Sequence, residues 1–194
     1  LDLILYTGAV GANNTNIGAG SAYSFPNPLP AANGGTSIFS GVWGPSGLHS
    51  PVPVDTLLAY LNATFGPDVN IPVFNFDMNQ TGANPNLEVV AQARIYDAAN
   101  NVVASWSFDN VNDGIFDPTA WVTSPGSITA PNPLDPLDVQ TVNNNVGSGK
   151  ADFIVYAPTM DLSLYSGLGY TFAFDMRMQG LNNGFEELFL TGAF

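Results

Sequence analysis

Cysteine is absent from all 194 residues, which excludes disulfides, thiol catalysis and thiolate metal sites together. Basic side chains are almost as scarce. Arg94, Arg177 and Lys150 stand against sixteen Asp and Glu, giving a formal net charge of −13. Three cations cannot neutralise a run of phosphates, which argues against nucleic acid and anionic membrane surfaces as partners. Charged residues make up only 10% of the chain, well under the ~25% usual in globular proteins. The polar surface therefore has to come from Asn, Ser, Thr, Gln and the backbone. No run approaches the ~18 apolar residues of a membrane span, and the long apolar N-terminal helix of a type IV pilin is missing. His49 is the single histidine, and no serine sits in a G-x-S-x-G elbow.

What is abundant points to a β protein. Hydrophobic residues reach 45% and aromatics 12%, with a mean hydropathy of +0.13, enough for a real core and unlike a disordered chain. Twenty Gly and fifteen Pro punctuate the chain about as often as an all-β fold needs turns. The length fits one domain. A first residue that is Leu rather than Met, together with few Lys and Glu, reads as an exported chain whose signal peptide has been cleaved. The expected location is extracellular or at the cell surface.

Residues 1–10, "LDLILYTGAV", alternate like a strand from the first position. Residues 11–36 follow as a Gly/Ala/Asn/Pro-rich linker, and residues 37–194 make up the main domain. One helix is predicted over 55–65, capped by Asp55, with Leu57, Leu58, Leu61 and Phe65 on one face and Gly66-Pro67 ending it. After it the pattern is all strand. "VFNFDMN" alternates, and "NLEVVAQARIYDAANNVVASWSFD" is a hairpin turning across 97–101. "AWVT", "SITA", "VQTV" and "DFIVYA" are short strands. The longest alternation sets Tyr170, Phe172, Phe174, Met176 and Met178 against polar neighbours, and "GLNNG" sends it back as "FEELFLTGAF". The prediction is an antiparallel, jelly-roll-like β-sandwich with one short helix. Phe172, Phe174, Phe189 and Trp106 are its expected core.

The stretch "FAFDMRMQGLNNGFEELFLTG" resembles the end of secreted Gram-negative proteins that carry the PEP-CTERM sorting tail read by exosortases. "PVDTLLAYL", "VVASWSFDNVNDGIFDP" and "NNNVGSGKADFIVYAPTMDLSLY" are similar to segments of the same group, so the likeness covers about residues 50–194. The resemblance implies export and a role in extracellular matrix, biofilm or floc structure, and it implies no catalytic residues. The tail itself, a Pro-Glu-Pro motif with an apolar segment and basic end, is not in the sequence; processing removes such a tail.

Several constellations could carry chemistry. A triad would need His49 with Ser46 or Ser50 and a distant Asp. Glycoside hydrolysis would need two carboxylates some 5–9 Å apart, and Glu88, Glu186 and Glu187 are the glutamates on offer. Calcium is the stronger option. "FDNVNDGIFDP" sets Asp109, Asn110, Asn112, Asp113 and Asp117 around a glycine turn, and hard oxygen ligands in a loop suit that ion. The EF-hand template fails, because Val111 takes its third position and Ala120 its twelfth; an Asx-rich turn bonding its own backbone fits the same residues. Trp43, Trp106 and Trp121 could stack on a polysaccharide, although Trp106 alternates like a core residue. The sequons at Asn13, Asn62 and Asn79 are what chance produces in an Asn-rich chain.

Two arrangements fit the opening strand. It can pair inside its own domain, or Leu1, Leu3 and Leu5 can enter a neighbouring copy as a donated strand. Repeated head to tail, donation builds a filament. The expected function is thus a non-enzymatic extracellular structural protein that assembles with copies of itself. The alternative is a monomeric glycan- or calcium-dependent binding module, with no cofactor needed beyond such an ion.

Overall fold

The structure, a computed structural model, describes residues 2–7, 37–43, 52–78, 86–143, 151–181 and 185–193. Leu1, most of the 11–36 linker's surroundings, Ser46, His49, Ser50 and the sequons at Asn13 and Asn79 lie outside the described residues, as does the whole linker.

Alternation builds two antiparallel sheets. The first runs in the order β1 (Asp2–Thr7), β12 (Phe185–Ala193), β4 (Ile71–Met78) and β10 (Phe153–Val155). The second runs β2 (Ser37–Trp43), β11 (Thr171–Leu181), β5 (Leu87–Tyr96) and β6 (Val102–Phe108). Short β3 (Val52–Pro53) also pairs with β11, and β7 (Val122–Ser124) with β5. A separate hairpin, β8 (Ser127–Asn132) and β9 (Asp135–Asn143), shares no ladder with either sheet among the described residues. The all-β sandwich expected from the sequence is the fold of the chain.

The core lies where the two sheets face each other. Phe172, Phe174, Met176 and Met178 of β11 are all buried, as the 3.4 Å-rise, period-two geometry of a strand requires for one face. They meet Phe74, Phe76 and Met78 of β4 and Leu188 and Leu190 of β12 in one apolar cluster. The rings of Phe74 and Phe174 stack with centroids 4.5 Å apart and planes 6° from parallel. Trp106 is only half-buried and packs on the rim of this cluster. Phe189 departs from expectation: it falls between buried Leu188 and Leu190, so strand alternation turns it to the other face, where it is half-buried.

Strands β11 and β12 follow one another in sequence but enter different sheets. The chain therefore crosses the sandwich instead of closing a hairpin. The partners of β12 are β4 and β1, with Asp2–Thr7 aligned against Glu186, Glu187 and their neighbours.

A helix, α1 (Val54–Phe65), closes one end by placing Val54, Leu57 and Leu61 in the core. It begins one residue earlier than predicted, with Pro53 at the N-cap and no side-chain cap. The first free backbone donor, Val54 N–H, is taken by the Tyr170 carbonyl at 3.0 Å. With the helix starting at Val54, Asp55 lies inside the first turn and not at the expected capping position. Its carboxylate instead accepts from Ser166 Oγ at 2.7 Å and Gly167 N–H at 2.9 Å, and these bonds hold it below the usual carboxylate range. Gly66, at φ +122°, ends the helix in a conformation that L side chains rarely adopt. Gly192 on β12 lies so close to the chain below α1 that an added Cβ would stand 2.3 Å from Val69 Cγ1.

Phe174→Ala should destabilise the protein by about 3–5 kcal/mol in chemical denaturation, because the facing ring of Phe74 cannot collapse into the space left. Leu137→Ala, at a position 98% exposed, should stay within about 0.5 kcal/mol of the parent.

Candidate functional site

The loop from Asp109 to Asp117 keeps its shape through bonds to its own backbone. Asp109 accepts from Val111 N–H at 3.1 Å and Asp117 N–H at 2.9 Å, one bond on each oxygen. Asp113 accepts from Ile115 N–H at 2.8 Å, and Asp117 accepts from both the backbone and the hydroxyl of Thr119 at 2.7 Å. The Thr119 bonds hold the Asp117 carboxyl below its ordinary range. Asn110 and Asn112 are exposed. These are Asx turns. Among the described residues no group of three or more His, Asp or Glu is arranged to hold a metal ion.

Two polar clusters escaped the sequence reading, because each is assembled from strands far apart in the chain. The first lies on the face of β5 and β11 turned away from the core. Arg94 makes a salt bridge to Asp175 and stands over the Tyr96 ring, 5.4 Å from its centroid. Arg177 Nη1 donates to the Pro118 carbonyl at 3.4 Å, which ties the Asp109–Asp117 loop to the same face. Burial pushes the Asp175 carboxyl up, more than Arg94 and Arg177 draw it down. Arg94 Nε and Asp175 Oδ1 are covered without a hydrogen-bond partner. Two of the three basic residues in the chain thus share one sheet face.

The second cluster is acidic. Asp77 on β4 is 2% exposed, and Asp152, just before β10, sits near enough to feel its charge. Asp152 Oδ2 accepts from Met78 N–H at 2.7 Å, while its own N–H donates to the Phe76 carbonyl at 2.7 Å. Burial pushes the Asp152 carboxyl up to about 6; the Met78 bond opposes the rise and Asp77 adds to it. Neighbouring Asn75, 5% exposed, is satisfied by the Val73 and Phe189 carbonyls and Thr191 Oγ1. Glu88 stands elsewhere, its carboxylate 3.4 Å from Thr123 Oγ1. The structure does not bring Glu88 to the Asp77–Asp152 pair.

Of the strand residues expected to drive assembly, Leu3 and Leu5 fall within β1, and Leu1 lies outside the described residues. Among the described residues, strand β1 forms the edge of its sheet and pairs with β12 alone. Leu5 is in register with Glu187 and Ile4 with the buried core residue Leu188. Leu3 falls at a register irregularity between Asp2 and Ile4, the position of a bulge.

Where β6 and β10 leave the sandwich open, a cavity of about 120 Å³ reaches in between the sheets. Trp106, Phe108, Tyr156, Ala157, Met160 and Phe174 are among its lining residues. Trp106 is fixed there by a 3.0 Å bond from its Nε1 to Thr159 Oγ1 and by edge contact with Tyr165. Tyr156 is 54% exposed at the opening. Trp43 lies across the second sheet, in register with Phe174 on β2, and Trp121 precedes β7, so the three tryptophans come from separate places in the fold.

A family model described as a domain of unknown function (DUF8239) matches residues 1–177. No curated protein and no solved structure matches the chain.

Asp152 binds its proton more tightly in the folded state than its ordinary value of 3.8 allows in the unfolded chain. Stability should therefore rise as pH falls from 7 through about 6 toward 4. Below that range it should fall, as Asp55, Asp97 and Asp117, all held low by hydrogen bonds, become protonated. Asp152→Asn should flatten the rise in a melting series across that window; an unchanged slope would assign the effect to other groups. Melts in EDTA and in excess calcium should coincide, since the Asp109–Asp117 carboxylates already serve backbone donors. A calcium-dependent shift would place an ion in that loop.

Proposed function

The chain belongs to the family described as a domain of unknown function (DUF8239), and on that footing we propose that it is a non-catalytic structural subunit of extracellular or cell-surface material, joined to copies of itself by exchange of β1. The observation that carries this is the setting of β1. Among the described residues it is held along one side, by β12, and residues 8–36 separate it from β2, which belongs to the other sheet.

A strand so placed can make the same ladder with its own β12 or with that of a neighbour. The contacts are identical, so the balance rests on concentration and on the connecting segment. Residues 8–36 can span roughly 100 Å when extended, more than the width of a small sandwich. If each copy passes β1 to the next, the contact does not close and a filament grows. Export is supported by the scarcity of Lys and Glu and by the resemblance to exosortase-sorted proteins. No helix among the described residues is long and apolar enough to cross a membrane. A surface rich in amides and hydroxyls also suits contact with hydrated extracellular polysaccharide.

Light scattering and electron microscopy of the purified chain should show oligomers that grow with concentration. Ile4→Asp, at the position in register with buried Leu188, should abolish them, whereas Asp2→Ala should not. An added peptide of residues 1–10 should shorten the oligomers by occupying β12. A protein that stays monomeric at every concentration with β1 intact would overturn the proposal.

A further inference from the structure

The β8–β9 hairpin stands apart from both sheets, and its tip is apolar where isolated hairpins are usually polar. Leu134 is 93% and Leu137 98% exposed, with Val139 at 65% beside them. Their presentation is built in. Asn132 Oδ1 accepts from Leu134 N–H at 3.0 Å, and Asp135 Oδ1 accepts from Leu137 N–H at 3.1 Å. Pro131, Pro133 and Pro136 restrict the backbone around them further. Two leucines fixed in this way have already lost much of the chain entropy that binding would remove. Exposed apolar groups gathered at one place mark interaction surfaces.

The same chain carries a receptor of matching chemistry. The cavity between β6 and β10 has a volume of about 120 Å³ and walls that are almost all aliphatic or aromatic. A cavity of ~150 Å³ with similar walls takes up benzene, and an isobutyl group is smaller than benzene. Leu137 does not fill the cavity of its own chain, since it is 98% exposed. We infer that the leucine tip of the β8–β9 hairpin docks into the β6–β10 cavity of a second copy, with Leu134 or Leu137 entering between Trp106, Phe108 and Met160.

Knob and cavity occupy different parts of the surface, so the contact is heterologous and leaves one of each free at the ends of any run. The hairpin tip offers on the order of a few hundred Å² of apolar surface, well short of the ~800 Å² per partner in a stable interface. The contact is therefore weak and reversible in a pair, and becomes effective where copies are already held close. It is independent of β1, because neither the hairpin nor the cavity contains a residue of that strand.

The absence of cysteine makes a directed cross-link a clean test. Asp138→Cys, activated as a mixed disulfide with thionitrobenzoate, keeps both leucines and is mixed with Ala157→Cys, a half-buried residue of the cavity lining. Any cross-link formed must join two copies. Released thionitrobenzoate should appear at least about tenfold faster than with Ala99→Cys, an exposed position at the β5–β6 turn. Adding Leu134→Asp and Leu137→Asp to the activated partner should reduce the rate to that of the control, with its melting temperature unchanged. Equal rates for the Ala157 and Ala99 acceptors, or a rate indifferent to the leucines, would overturn the inference.

Discussion

The fold depends on one contact surface, the facing rows of Phe74, Phe76 and Met78 on one sheet and Phe172, Phe174 and Met176 on the other. Ring stacking between Phe74 and Phe174 sets how closely the sheets approach at that point. Once those rows face inward, period-two geometry assigns every intervening residue to the outer faces. Arg94, Asp175 and Arg177 are consequently neighbours on the outside of the second sheet, and Asn75 and Asp77 on the outside of the first. Strand β4 is the extreme case, with all eight residues buried. Its polar members must find partners away from water, and Asn75 does so with two carbonyls and a hydroxyl.

The way charge is distributed follows from its scarcity. With few cations available, the Arg94–Asp175 salt bridge and the Arg177 bond to Pro118 occupy both arginines in holding strands and a loop together. Removing either partner of this largely covered pair would leave an uncompensated charge and destabilise the sheet. Six of the sixteen acids, Asp97, Asp109, Asp113, Asp117, Asp135 and Asp161, accept from backbone N–H groups a few residues on and so act as turn chemistry.

Much of this was legible in the sequence because it is local. The β11 alternation, the β5–β6 hairpin with its turn at 97–101, the single helix and the Asx character of the 109–117 loop all arise from neighbouring residues. What escaped depends on residues distant in the chain. Alternation finds β12 but does not reveal that it leaves β11 for the other sheet. Phe189 reads as a core residue because it is large and apolar, although the row through Leu188 and Leu190 turns it outward. Asp55 looks like a cap, but the helix starts at Val54 and the Asp55 carboxylate turns to Ser166 and Gly167. The Asp77–Asp152 pair and the Trp106–Tyr156 opening combine segments that carry no motif in common.

The β1–β12 ladder joins Asp2–Thr7 to residues 185–189, which gives it a sequence separation close to the full length of the chain. Contacts of such high order close late, since a large loop entropy must be overcome before they form. As the chain is synthesised, β1 emerges before every other described strand, and β12 emerges after them. The core between the sheets can form around β4, β5 and β11 while β1 still waits for its partner. That ladder is therefore expected to be among the last to close, and until it does the backbone groups of β1 have no partner in β12.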